Sequence, residues 1–207
     1  MHLPDGIIPI EQALIYYLLS FIILALYYYK FSKSEEKEKQ IINIAVFSAI
    51  VLLLSSLSIP SPLGIPIHFF VIPLVVILLG VVSGTICSFI SLLGQAILLD
   101  MGGITAFGAN FLVMGFMISI VTIVFYNIFL NIDEKIAIFL STIMGIISAT
   151  FLQAIMLVFS GSITFNAVIS TLIPYYMFIS IIEAILNVII IYTLKNVKPE
   201  VLNLKKL

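Results

Sequence analysis

Long apolar runs, separated by short polar breaks, dominate this chain. A helix crosses the hydrocarbon of a bilayer in about 20 residues, with roughly 17 to 25 usual. On that measure the pattern predicts seven spans, at 8–29, 41–58, 67–80, 83–99, 108–130, 136–159 and 171–194. The third and fourth form one stretch, HFFVIPLVVILLGVVSGTICSFISLLGQAILL, too long to cross once and suited to crossing, turning near Gly80–Gly84 and crossing back. Pro73 predicts a bend in the first of the pair. A re-entrant pair would change the number of spans but not the sides on which the termini lie. The runs are continuous, whereas a transmembrane barrel alternates in segments of about ten residues. Helices pair every backbone group internally, as lipid requires. The expected fold is therefore an all-α integral membrane protein, a compact bundle of about seven transmembrane helices forming a single domain over 1–207.

Composition strengthens this reading. Hydrophobic residues make up 62% of the chain and charged residues 9%, with a mean hydropathy of +1.29, more apolar surface than a soluble domain of this size could bury. A net charge of -1 gives no footing for nucleic acid. The lone cysteine, Cys87, can form no internal disulfide and reads as packing.

Charge placement sets the orientation. All nine cationic side chains are lysines: Lys30, Lys33, Lys37 and Lys39 after the first span, Lys135 between the fifth and sixth, and Lys195, Lys198, Lys205 and Lys206 after the last. Seven spans put all of them on one side, which the positive-inside rule makes cytoplasmic. The amino terminus is then outside and the carboxy terminus cytoplasmic, with 30–40 a charged cytoplasmic loop. The mixed charges of SEEKEKQ, and likewise Asp133, Glu134 and Lys135, read as solvated. The outer side carries both histidines, His2 and His68, with Asp5, Asp100 and Asn110 and no lysine. That distribution suits capture of a cation from outside.

Among intramembrane polar residues, Glu183 in FISIIEAILNVII stands out. A carboxylate in a span is a functional candidate by default. The structural alternative is an acid that fixes helix packing, with Asn187 one turn on as its neighbour. Gln95, Asn110, Gln153 and Asn166 read as interhelical hydrogen bonds. The glycines of DMGGITAFGAN read as a tight outer loop, since a phosphate loop would need a strand-to-helix setting and a lysine.

The opening MHLPDG has a chemistry of its own. The Met1 amine, the His2 backbone nitrogen and the His2 Nδ1 can close a five-membered and a six-membered chelate ring around one ion. Three coplanar nitrogens favour nickel(II) or copper(II), and His68, the other imidazole, is the candidate fourth donor. The segment 1–7 is thus an outer metal-binding segment. It requires a free amine, a retained Met1 and an inward fold, which Pro4 and Gly6 suit. Asp5 is a candidate to hold a ring nitrogen in place. Binding should weaken in acid, because every donor must be deprotonated.

These residues resemble a known family. MHLPDG is similar to the MHIPDG-type opening of the substrate-capture membrane subunits of cobalt and nickel energy-coupling-factor transporters, the CbiM/NikM family. GIPIHFF, the segment from Gln95 to Phe116 and IIEAIL around Glu183 continue the likeness in family order over nearly the whole chain. The resemblance implies a six-to-seven-helix capture subunit in a prokaryotic plasma membrane, with Met1, His2 and His68 as metal ligands. It also implies a transmembrane coupling subunit, paired cytoplasmic ATPases and, in many members, a small accessory membrane subunit. The cargo would be nickel(II) or cobalt(II), with no permanent cofactor, and cobalamin biosynthesis its destination in the cobalt branch. Where the family often has a histidine before the last-span glutamate, this chain has Tyr175 and Tyr176. The lack of a Walker-type motif agrees with a subunit that leaves ATP to its partners. Two other functions compete. A stand-alone secondary permease would want a chain of ionisable groups across the membrane. A structural or assembly subunit would have no use for MH at the outer terminus.

Overall fold

The structure is a computed structural model that describes residues 1–59 and 67–198. Lys205, Lys206 and positions 60–66 of the loop before His68 lie outside the described residues.

Among the described residues, six helices are long and apolar enough to cross a membrane: α1 Ile10–Ser32, α2 Lys37–Ser56, α3 Ile72–Leu98, α4 Phe107–Phe129, α5 Glu134–Phe159 and α6 Phe165–Val197. Pro9 caps α1, where its missing N–H costs nothing, and its carbonyl accepts from Ala13 N at 3.0 Å. The charged stretch 30–40 is mostly helix. α1 runs through Lys30 to Ser32, and α2 already begins at Lys37. Asp133 caps α5 by accepting from Ile136 N at 3.0 Å, and Glu134 pairs with Lys195. Of the acids expected to be merely solvated there, Asp133 instead caps α5 and Glu134 ties it to the end of α6.

Six helices replace the expected seven because the third span, 67–80, is not a whole helix. α3 is broken at Gly80, which has φ 81 and ψ 170, a conformation open in practice only to glycine. A Cβ on Gly84 would lie 2.6 Å from Val76 Cγ2 and 3.0 Å from Val76 Cα. In a straight helix eight residues span about 12 Å, so the 72–79 segment folds back against the segment after Gly80. That short helix covers less than half of a hydrocarbon core about 30 Å thick. Pro73 sits in its first turn and starts it, where a bend was expected. The chain reaches this helix through an extended segment. Ile59 and Ile67 form an isolated antiparallel bridge, with N···O distances of 3.0 and 2.8 Å. Phe70 and Val71 then bond to Glu183 in the middle of α6. The expected turn near Gly80–Gly84 is present, but the first part of the crossing before it, 67–71, is not helical.

Short-range contacts hold the helices. Asn187 donates to Thr142 Oγ1 at 3.1 Å, joining α6 to α5, rather than to Glu183 as expected. Ser20 donates to the Gly108 carbonyl at 2.9 Å, and a Cβ on Gly108 would lie 2.6 Å from Tyr17 N, so glycine lets α1 and α4 touch backbone to backbone. The outer face of α1 stays apolar and open, with Leu14, Leu18 and Phe21 each more than 60% exposed, as a lipid-facing surface should be. Lys30, Lys33, Lys37, Lys39, Lys135, Lys195 and Lys198 all lie at the bundle end away from Met1.

The close packing at the Gly80 fold yields a prediction. Gly84→Leu should destabilise the protein by about 1–3 kcal/mol, the usual cost of overpacking. It should appear as a lower melting temperature of the detergent-solubilised protein, whereas Gly94→Ala, whose Cβ would meet only the Leu52 side chain at 3.2 Å, should cost less.

Candidate metal centre

Residues 1–7 are not helical, and they enter the end of the bundle opposite the lysines. Every backbone group carried away from water there needs a partner. Gln153 Nε2 donates to the Met1 carbonyl at 2.9 Å. Leu3 N donates to Asn110 Oδ1 at 2.7 Å, and Asn110 Nδ2 returns a bond to the Leu3 carbonyl at 3.0 Å. Gly103 N donates to the same carbonyl at 2.8 Å. The Leu3 side chain is buried at 2% exposure, which anchors the segment through its apolar residue as well.

The glycine pair serves this docking. A Cβ on Gly103 would fall 2.3 Å from both Asp5 N and Asp5 Oδ1. Gly102 has φ 84, and a Cβ there would lie 3.0 Å from Asn110 Nδ2 and 3.2 Å from His2 Cδ2. Sequence reasoning recognised a tight loop but not its object, which is the amino-terminal segment lying against it. Tyr17 donates its hydroxyl to the Ile104 carbonyl, closing the loop from the side of α1.

Met1, His2 and His68 line one cavity of about 300 Å³, together with Ser55, Gln95 and Tyr176 among others. His2 Nε2 is 2.9 Å from Gln95 Oε1, and Gln95 Nε2 donates to Ser55 Oγ at 2.5 Å. Because the Gln95 amide nitrogen is committed to Ser55, its oxygen accepts from His2. That bond puts the ring proton on Nε2 and leaves Nδ1 with a free lone pair. Nδ1 is the nitrogen the six-membered chelate requires. His68 Nδ1 is buried and has no hydrogen-bond partner.

The electrostatics agree. Burial lowers the Met1 amine from 8.0 to about 5. Burial, then the nearby amine charge, lowers the His2 imidazole from 6.5 to about 4, against the opposing effect of Gln95. His68 is lowered by burial first and the Met1 amine second, with the Ser55 and Leu57 backbones opposing. At neutral pH the amine and the imidazoles are therefore neutral, the form in which they donate to a metal. Among the described residues no group of three His, Cys, Asp or Glu side chains could hold a metal. Beside the two imidazoles, the cavity offers the Met1 amine as a further nitrogen donor.

The other candidates divide. Gln95 and Asn110 belong to the site, one orienting His2 and the other fixing Leu3. Asp5 does not hold a ring nitrogen. It accepts from Thr105 N at 2.7 Å and Thr105 Oγ1 at 2.6 Å, bonds that depress its pKa, and the role expected of it falls to Gln95. Asp100 is exposed, in a turn at φ 54, outside the cavity. Glu183 is 2% exposed and accepts from Phe70 N and Val71 N, each at 2.8 Å, two and three residues beyond His68. Val71 itself has φ 63, left-handed backbone that costs a β-branched residue about 1–3 kcal/mol. Gln153 was expected only to join helices. Nothing in the sequence marks it as the partner of Met1, because that contact spans 152 positions.

Residues 2–201 match the family described as cobalt uptake substrate-specific transmembrane region, CbiM. The chain is 30% identical over 211 residues to the cobalt transport protein CbiM of Clostridium tetani, covering 97% of this chain and 87% of that protein. It is 29% identical to the putative cobalt transport protein CbiM of Methanocaldococcus jannaschii, covering 98% and 90%. A crystal structure of a truncated transition metal transporter shares the fold, with a TM-score of 0.84 at 24% identity, covering 95% of this chain and 99% of that one.

Two outcomes follow from the geometry. Gly103→Ala should push the amino-terminal segment out of the cavity. It should cut nickel(II) affinity by at least about tenfold, the scale of lost ligand support, with little change in melting temperature. The second concerns protons. A lowered amine pKa makes docking of the terminus more favourable as pH rises from about 5 to 8.0. With amine and imidazole already neutral, nickel(II) binding near pH 7 should release about one proton, from the His2 amide. An exposed terminus would release roughly two, since its amine is still protonated. Calorimetry in buffers of different ionisation enthalpy counts them.

Proposed function

Because this chain belongs to the CbiM family of cobalt uptake substrate-specific membrane proteins, we propose that it captures nickel(II) or cobalt(II) through the Met1 amine, the His2 amide and Nδ1, and the His68 imidazole. It is a multi-pass membrane protein. The observation that carries the reading is the Gln95–His2 bond, which frees Nδ1 inside a cavity that also holds the neutral amine and His68. Main-chain nitrogen beside imidazole makes a strong-field, near-planar donor set suited to nickel(II), and cobalt(II) accepts the same donor types. Copper(II) would bind more tightly still by intrinsic order, so selectivity rests on geometry and supply.

The capture site faces outside, and the lysine-bearing end faces the cytoplasm by the positive-inside rule. The protein acts as the substrate-specific subunit of an energy-coupling-factor transporter. A transmembrane coupling subunit and cytoplasmic ATPases supply the work, with a small accessory membrane subunit in some assemblies. The cobalt that it delivers serves cobalamin biosynthesis. The permease alternative loses its main support, because the buried carboxylate of Glu183 is occupied by two backbone N–H groups.

Protein purified with an unmodified amino terminus should bind one nickel(II) or cobalt(II). His2→Ala, His68→Ala and a one-residue extension before Met1 should each weaken binding at least a hundredfold, read by isothermal titration. In proteoliposomes, metal uptake should require the coupling and ATPase subunits with ATP. Gradient-driven uptake by this chain alone would overturn the subunit reading.

A further inference from the structure

We infer that Glu183 is a positioning residue for the metal site: its carboxylate fixes the Phe70–Val71 backbone and thereby sets the His68 imidazole at the cavity. The inference rests on the metal-capture reading above. Glu183 is the one buried carboxylate among the described residues, and each of its oxygens accepts a separate backbone N–H at 2.8 Å. Both distances lie within the range of well-formed N–H···O bonds. These bonds are made at the start of the 72–79 helix, where free N–H groups need acceptors. They hold Val71 in its left-handed conformation, which a β-branched residue does not keep unaided.

His68 lies between two anchors. On one side Ile67 is bridged to Ile59, and on the other Phe70 and Val71 are clamped to α6. Its Nδ1 has no hydrogen-bond partner, so no bond at that nitrogen orients the ring. The ring is also hydrogen-bonded to the Ser55 and Leu57 backbones, so its aim depends jointly on those bonds and on the backbone that carries it. Phe70 packs against Tyr176 with ring centroids 6.0 Å apart, which keeps the clamped segment against α6. Glutamine at 183 has one acceptor oxygen. Its amide nitrogen would face an N–H, donor against donor, and one arm of the clamp would be lost.

The test is a double-mutant cycle on the full chain with a native amino terminus, titrated with nickel(II). Glu183→Gln should weaken binding about 10- to 100-fold, the range for residues that orient ligands. In a His68→Ala background the same change should weaken it no further, and the visible nickel(II) spectrum of Glu183→Gln should match that of His68→Ala. A merely structural role would weaken both backgrounds by the same factor, and that result overturns the inference, as does wild-type affinity in Glu183→Gln. If Glu183→Gln yields no folded protein, Glu183→Asp, which retracts the carboxylate by one methylene, is judged by the same two comparisons. Absence of nickel(II) and cobalt(II) binding in the unsubstituted protein would overturn the capture reading and this inference together, which separates the two failures.

Discussion

Backbone that is not helical can enter a helical membrane bundle only if its N–H and C=O groups find partners there. Among the described residues two such segments enter the bundle, residues 1–7 and the non-helical run Ile67–Val71, and much of the polar chemistry exists to satisfy them. Gln153 meets the Met1 carbonyl, Asn110 and Gly103 meet Leu3, and Glu183 meets Phe70 and Val71. Each unsatisfied group in hydrocarbon would cost several kcal/mol, so the polar side chains of α3 to α6 are structural before they are functional. The two irregular segments are also the ones that carry His2 and His68.

Burial that demands these bonds also prepares the donors. The same desolvation that makes a charged amine costly removes its proton, so the Met1 amine and His2 ring face the cavity as neutral bases. No described lysine lies at this end of the bundle to compete with an arriving cation. Gln95 completes the arrangement by accepting from one ring nitrogen and leaving the other open. An aspartate there would bond the ring more strongly and bring a negative charge to a site whose donors are neutral. Asp5 is instead turned outward to Thr105.

Glycine governs how closely the parts approach. Gly103 lets the Asp5 backbone lie against the loop, Gly108 lets α4 touch α1, and Gly80 reverses the chain so that Gly84 meets Val76. At Gly80 an L side chain is excluded by backbone conformation. At Gly103 and Gly108 it is excluded by the neighbouring backbone, which cannot move aside as a side chain can.

Much of this protein was legible in its sequence. Apolar run lengths determine a helical membrane protein, because lipid tolerates few alternatives, and the lysine distribution places all described cations at one end. The chelating capacity of Met1 and His2 is local chemistry and needs no fold. The tertiary structure alone decided three things. It made the first part of the third span non-helical, because a hydropathy pattern counts apolar residues without saying whether they are helical. It gave the His2 ring to Gln95 rather than Asp5, and Met1 to Gln153, since these partners are 93 and 152 positions away. It turned Glu183 from a bare intramembrane acid into the acceptor of the Phe70 and Val71 N–H groups beyond His68. Sequence shows which groups are present, whereas burial and long-range contact determine which of them meet, and hydrogen-bond satisfaction away from water decides between the possibilities.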